Sequence, residues 1–159
     1  MHNAFYQQYH LVQGARAALL DYCAKLRPEH LVAPVAAFNQ SSVRDLLVHV
    51  AGAYHVWLGQ VSMQRPARRL LPSEVPDVAA LRRLYGEVDA LVADFVQHFA
   101  GRWLETAEFS FPGRPAPLQL SPMELFTHVI THEFHHKGQV LSMGRQLGYA
   151  PVDTDVIRF

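Results

Sequence analysis

Four of the ten histidines of the chain fall within nine residues, at positions 128, 132, 135 and 136. Side chains four residues apart on a helix lie on the same face, so His132 and His136 are close enough to hold one metal ion between them. With Glu133, the same residues also satisfy the H-E-x-x-H pattern of zinc proteases, in which the glutamate is the general base. The first question is therefore which kind of metal site this segment forms.

His132 and His136 occupy positions at which an amphipathic helix would carry leucine. On a helical wheel at about 100° per residue, both lie within about 40° of the centre of the apolar arc, whereas His128 and His135 lie on its flank. Burying two separate imidazoles would require a polar partner for each ring. A single divalent cation satisfies both rings, so the pattern predicts metal binding.

A third ligand must come from another part of the chain, because two imidazoles from one helix do not complete a tight site. His49 is the leading candidate, near the middle of the second predicted helix and at the margin of its apolar stripe. Asp45, one turn earlier, is expected to orient a ligand or to coordinate weakly, and His55 is expected to be solvated on the opposite face. Imidazole ligation suits Zn²⁺, Ni²⁺, Fe²⁺ or Co²⁺, and three protein ligands leave open positions for substrate.

Four long segments with helical periodicity must position these residues, and they predict an all-α fold in a single domain over residues 1–159. Ser42 with Asp45, and Ser121 with Glu124, have the spacing of capping boxes at the starts of the second and fourth segments. The four segments run from Phe5 to Leu26, from Ser41 or Ser42 to Val61, from Asp77 to Ala100, and from Ser121 to Leu147.

The connections are expected to be irregular. Residues 106–120 contain alternating polarity followed by proline and glycine, which predicts a long loop with a short hairpin before the last helix. In the tail, Ile157 and Phe159 are expected to dock against the helices. The basic residues of the connection between the second and third predicted helices, and of the start of the third, are interpreted as a solvated surface rather than a phosphate site: Arg65, Arg68, Arg69, Arg82 and Arg83.

Composition excludes several classes of function. The formal net charge is zero, so the chain lacks the basic excess typical of nucleic-acid binding. No apolar run approaches the roughly 18 residues that span a bilayer, and the first residues do not resemble a signal peptide, so a cytoplasmic protein is expected. Cys23 is the only cysteine, and its place in the apolar stripe of the first helix favours a buried thiol over a nucleophile or fourth ligand.

Two stretches of the sequence carry distinctive motifs: residues 46–51 around His49, and residues 128–140, which include the run H-H-K-G-Q at 135–139. Together they resemble the DinB/YfiT-like superfamily of metal-binding helical bundles. Helix order and length agree over nearly the whole chain, and the tail at 152–157 is also similar. The resemblance implies that His49, His132 and His136 form the metal triad. It also implies a four-helix bundle of up-down-down-up order with a long crossover, often dimeric.

The same resemblance implies a class of reaction. Characterised members of the superfamily include metal-dependent thiol transferases that use bacillithiol or mycothiol, and a maleylpyruvate isomerase. We therefore expect a metal-dependent enzyme of the thiol S-transferase type that acts on a small molecule and forms a homodimer. Glu133 is then a candidate base, with a surface role or a role behind the ligands as the alternative, and Gln139 is expected to line the same cavity.

Two other functions remain open. A zinc protease or hydrolase is disfavoured, because the extended zinc-protease pattern needs a glycine and a third histidine where this chain has Gln139 and Ser142. A non-catalytic, stress-associated module for metal binding or dimerisation is the other alternative. Metal that affects only the melting temperature would favour this module over an enzyme.

Overall fold

The protein is mostly helical in the computed structural model, which describes residues 4–158. The predicted all-α class agrees with this structure. The helices and strands are α1 (Ala4–Cys23), α2 (Pro28–Leu31), α3 (Val43–Tyr54), α4 (Val78–His98), β1 (Ala107–Phe109), β2 (Leu118–Leu120) and α5 (Pro122–Gln146). Directly after α3, residues His55–Ser62 continue as a π-helix, here called the π segment, in which the backbone bonds run from i to i+5.

The long helices pack around one shared core. Helix α3 contacts both α4 and α5, and α1 contacts the same two helices. Tyr54, Phe95 and Phe126 are among the largest side chains that are fully buried between them. This packing is compatible with the expected four-helix bundle, whose up-down-down-up order stays a prediction.

The two helices that carry the candidate ligands begin at the predicted capping boxes. The hydroxyl of Ser42 accepts a hydrogen bond from the backbone of Asp45, whose carboxylate accepts one from the backbone of Ser42. Ser121 and Glu124 make the same reciprocal pair at the start of α5. Each cap is worth about 1 kcal/mol, and the two caps fix where α3 and α5 begin.

The loop before α5 contains the predicted hairpin. Strands β1 and β2 pair antiparallel, with Phe109 opposite Leu118. Phe109 is buried in the core, whereas Phe111 stacks against Trp57 of the π segment with ring centroids 4.8 Å apart. The loop of the hairpin therefore packs on the π segment that follows α3.

The tail is anchored through polar atoms. The buried Lys137 amine donates a hydrogen bond of 2.5 Å to the backbone oxygen of Thr154 and lies 3.7 Å from the carboxylate of Asp155. The expectation that Ile157 docks is wrong, because its side chain is 74% exposed. The lysine holds the tail upstream of Ile157, and Phe159 lies outside the described residues.

The basic cluster pairs with acids on neighbouring helices. Arg65 bonds to Asp94 at 2.8 Å, Arg82 bonds to Asp21 at 2.6 Å, and Arg68 contacts Glu87. These pairs are largely exposed, in agreement with the interpretation as a solvated surface. Over residues 4–158, no helix has the length and apolar character needed to cross a membrane.

The solvated position predicted for His55 is wrong. Its ring is half-buried, and its Nε2 atom is buried without a hydrogen-bond partner in the described part of the chain. The connection carrying Arg65 and Arg68 folds over this face of the helix, which a helical wheel does not represent. Burial, followed by the nearby Arg68 charge, lowers the pKa of His55.

Candidate metal centre

Three histidines from two helices converge at one point of the fold. His49 of α3 faces His132 and His136 of α5, with ring centroids 5.2 Å and 4.9 Å away. The rings of His132 and His136 are 4.4 Å apart. One nitrogen of each ring lies within 4.8 Å of the other two, so the three residues form a group that could hold a metal ion.

The spacing of the nitrogens fits a divalent metal. Tetrahedral zinc with Zn–N bonds near 2.05 Å separates two ligand nitrogens by about 3.4 Å. The Nε2 atoms of His132 and His136 are 3.1 Å apart, already close to that separation. The nitrogen of His49 lies within 4.8 Å of the other two, at most about 1.4 Å beyond that separation.

The surroundings keep the imidazoles of His132 and His136 neutral, the form that binds metals. Burial is the main cause that lowers the pKa of His132 to about 4, with further lowering by His136 and His49. Burial also lowers the pKa of His136. The Nδ1 atom of His132 is buried with no hydrogen-bond partner among the described residues. The lone pair of Nε2 is then the one that faces His136 and is available to a metal ion.

Gln139 fixes the ring of His136. The Nδ1–H of His136 donates a hydrogen bond of 2.6 Å to the side-chain oxygen of Gln139, one helical turn away. A proton held on Nδ1 leaves the lone pair of Nε2 directed at the cluster. Gln139 also contacts His135 at 3.2 Å. Gln139 also lines the cavity beside the histidine group, as predicted.

An open cavity of about 530 Å³ lies beside the histidine group. Phe38 and Leu46 give it an apolar wall, while Asn39 and Ser41 add polar groups. The carboxylate of Asp45 also lines it, but this group accepts bonds from the Ser42 backbone and the Arg44 guanidinium. Asp45 thus has a structural role in capping α3, and a small molecule could enter next to His49 and His136.

His128 lies outside the group of three. Its exposed ring packs on Trp57, with centroids 4.6 Å apart, and is 5.9 Å from the ring of His132. Trp57 in turn contacts Phe111 from the hairpin loop. The rings of Phe111, Trp57 and His128 therefore form an aromatic cluster that lies next to His132, on the side away from His136.

Glu133 is turned into the core. Only 6% of its surface is exposed, and both carboxylate oxygens accept hydrogen bonds: 2.7 Å and 2.9 Å from the Arg16 guanidinium, and 2.6 Å from the Tyr54 hydroxyl. A general base must reach the proton it removes, and this carboxylate does not line the cavity. The contacts favour a structural role for Glu133 over the catalytic role expected from H-E-x-x-H.

Arg16 is the main residue that sequence reasoning missed. Its guanidinium is 4% exposed and also bonds to Asp89 at 2.6 Å and to the Tyr9 hydroxyl at 2.9 Å. It lies over the Tyr85 ring, 4.5 Å from the centroid. A signal was present, because Arg16 occupies an apolar-stripe position of α1, at the three- and four-residue spacing shared by Tyr9, Val12, Leu19 and Cys23.

We expect the Cys23 thiol to be unreactive in the folded protein. The residue is 1% exposed, and burial raises its pKa to about 12, so almost no thiolate forms at pH 8. Labelling with a chromogenic disulfide should be slow in native buffer and stoichiometric in denaturant. Fast labelling of the native protein would instead identify an accessible nucleophile.

Comparison with known proteins places this architecture in one family. A search of curated proteins gives no significant match. The profile of the DinB family, in contrast, matches residues 1–159. With a match over its whole length, and with His49, His132 and His136 brought together by α3 and α5, the chain belongs to the DinB family.

Proposed function

We propose that the protein binds one divalent metal ion through His49, His132 and His136 and acts as a metal-dependent enzyme of the thiol S-transferase type. The observation that carries the proposal is the convergence of three imidazoles, each with one nitrogen in a group 4.8 Å across, beside an open cavity. Three protein ligands leave at least one coordination position free, the arrangement typical of catalytic sites. Membership of the DinB family supports the same interpretation.

The residues around the proposed metal site would have separate roles in binding the metal and the substrate. A bound divalent cation would supply the Lewis acidity that keeps a small thiol in its reactive thiolate form. Gln139 holds the proton on His136 Nδ1 and so keeps Nε2 available as a ligand. Phe38 and Leu46 offer an apolar surface to an electrophilic substrate, and Asn39 offers hydrogen bonds.

A non-catalytic metal-binding or dimerisation module is the second candidate. It is favoured by the contacts of Glu133, since the acid that directly follows a ligand is held by Arg16 and Tyr54. The same contacts weaken the protease alternative, which needs that carboxylate as its base. A homodimer in the cytoplasm is part of the proposal under either candidate, and light scattering of the purified protein measures the oligomeric state.

A metal-dependent screen distinguishes the two candidates. The protein is stripped with a chelator, reloaded separately with Zn²⁺, Ni²⁺, Fe²⁺ or Co²⁺, and mixed with bacillithiol, mycothiol or glutathione and a panel of electrophiles. Thiol consumption that disappears on stripping and returns with one metal supports the enzyme. A metal that raises only the melting temperature, with no turnover for any thiol, supports the second candidate.

A further inference from the structure

A buried polar network joins the four long helices next to the histidine group. Arg16 of α1, Asp89 of α4, Tyr54 of α3 and Glu133 of α5 are connected by bonds of 2.6 to 2.9 Å. Arg16 and Glu133 are each less than 10% exposed. Charge-assisted bonds in such surroundings are short and directional, so the network resists relative movement of the helices.

One bond of the network spans the same two helices as the histidine group. The Tyr54 hydroxyl on α3 donates to the Glu133 carboxylate on α5 at 2.6 Å. Glu133 directly follows His132, and Tyr54 lies five residues after His49 on the same helix. Burial raises the pKa of Tyr54, and the Glu133 carboxylate raises it further, so the hydroxyl stays protonated and remains a donor.

The tolerance of a metal site makes this bond consequential. Ligand distances must hold within about 0.2 Å, and a side-chain atom lies about 5 to 6 Å from its helix axis. A rotation of α5 by only about 2° therefore moves a ligand nitrogen by that tolerance. The Tyr54–Glu133 bond is a directional contact between α3 and α5, and it restricts the rotation of α5 about its own axis.

We propose that Tyr54 and Glu133 are positioning residues of the metal centre, which set the rotation of α5 so that His132 and His136 meet His49. This inference rests on the proposed metal site. Glu133 would thus affect the metal centre indirectly, by fixing the orientation of α5, the helix that carries His132 and His136. The Arg16 guanidinium compensates the charge of the Glu133 carboxylate and donates one hydrogen bond to each of its two oxygens.

The test is a Zn²⁺ titration, by calorimetry, of the stripped Tyr54→Phe protein. The change removes one hydroxyl and keeps the ring, and we expect Zn²⁺ affinity to fall roughly 10- to 100-fold, the range for contacts that orient ligands. Tyr85→Phe is the matched control. Tyr85 of α4 is also buried, and its hydroxyl donates its hydrogen bond to the backbone oxygen of Leu47 on α3. The melting temperature of Tyr85→Phe should fall by a few degrees, as in Tyr54→Phe, but its Zn²⁺ affinity should equal that of the wild type.

The visible spectrum of the Co²⁺-loaded proteins gives a second readout, because it reports coordination geometry. It should change in Tyr54→Phe and match the wild-type spectrum in Tyr85→Phe. If Tyr54→Phe does not fold, the double variant Arg16→Met/Glu133→Leu replaces it, because it removes the acceptor of the Tyr54 hydroxyl together with the charge that Glu133 compensates, and it should show the same loss. Equal affinities for all folded variants would overturn the inference, whereas a wild-type protein that binds no stoichiometric Zn²⁺ would overturn the metal site itself.

Discussion

Replacing His132 with alanine is expected to remove stoichiometric metal from the purified protein. His132 is one of the three members of the group, and its ring lies 4.4 Å from the ring of His136 and 5.2 Å from that of His49. Without it, two ligands from different helices remain. The loss of affinity should exceed the roughly 10- to 100-fold that follows loss of a contact behind a ligand.

Elemental analysis and Zn²⁺ titration measure the effect, with His135→Ala as the control. His135 is an exposed histidine of the same helix, adjacent to His136, and is not a member of the group of three. Its replacement should leave metal content unchanged. Wild-type metal content in His132→Ala would show that the triad is wrongly assigned.

The second large effect is expected from Arg16→Met, which should lower the free energy of unfolding by about 3 to 5 kcal/mol. The change leaves the Glu133 carboxylate buried without its cation, and it takes away the cationic partner of Asp89, which keeps the bond from the Tyr9 hydroxyl. Losing one member of a buried pair is costly because the remaining charge is neither solvated nor compensated. The exposed pair between Arg82 and Asp21 is the contrast, and Arg82→Met should cost about 0 to 1 kcal/mol.

Urea unfolding of both variants measures the difference. The double variant Arg16→Met/Glu133→Leu separates charge burial from packing, since removing both members of a buried pair is often close to neutral. It should recover most of the stability that Arg16→Met loses. Similar losses in Arg16→Met and Arg82→Met would show that the buried pair contributes no more than an exposed one.

Features governed by neighbours in sequence were predictable. The capping boxes at Ser42 and Ser121 depend on residues three apart, and the structure contains both. Residue 148 has a φ of +90° just after α5, where glycine serves as the stop of a helix. The hairpin within residues 106–120 follows from its alternating polarity and its turn residues.

Features governed by packing between distant segments were not predictable in the same way. Arg16 finds Glu133 117 residues further along the chain, and its position in an apolar stripe indicates burial without naming the partner. His55 is covered by a connection that periodicity does not describe. The helical spacing of four residues was enough to predict that His132 and His136 lie side by side. His49 lies at the margin of its apolar stripe, and only the packing of α3 on α5 brings it close to them.

The anchored tail has a consequence for how related sequences should vary. The buried Lys137 amine bonds to the backbone oxygen of Thr154, an acceptor that any residue at that position would supply. Sequences that replace the lysine with an apolar residue should therefore have lost or shortened the segment after α5. An alignment of relatives should show loss of the lysine together with a change in the length of that segment.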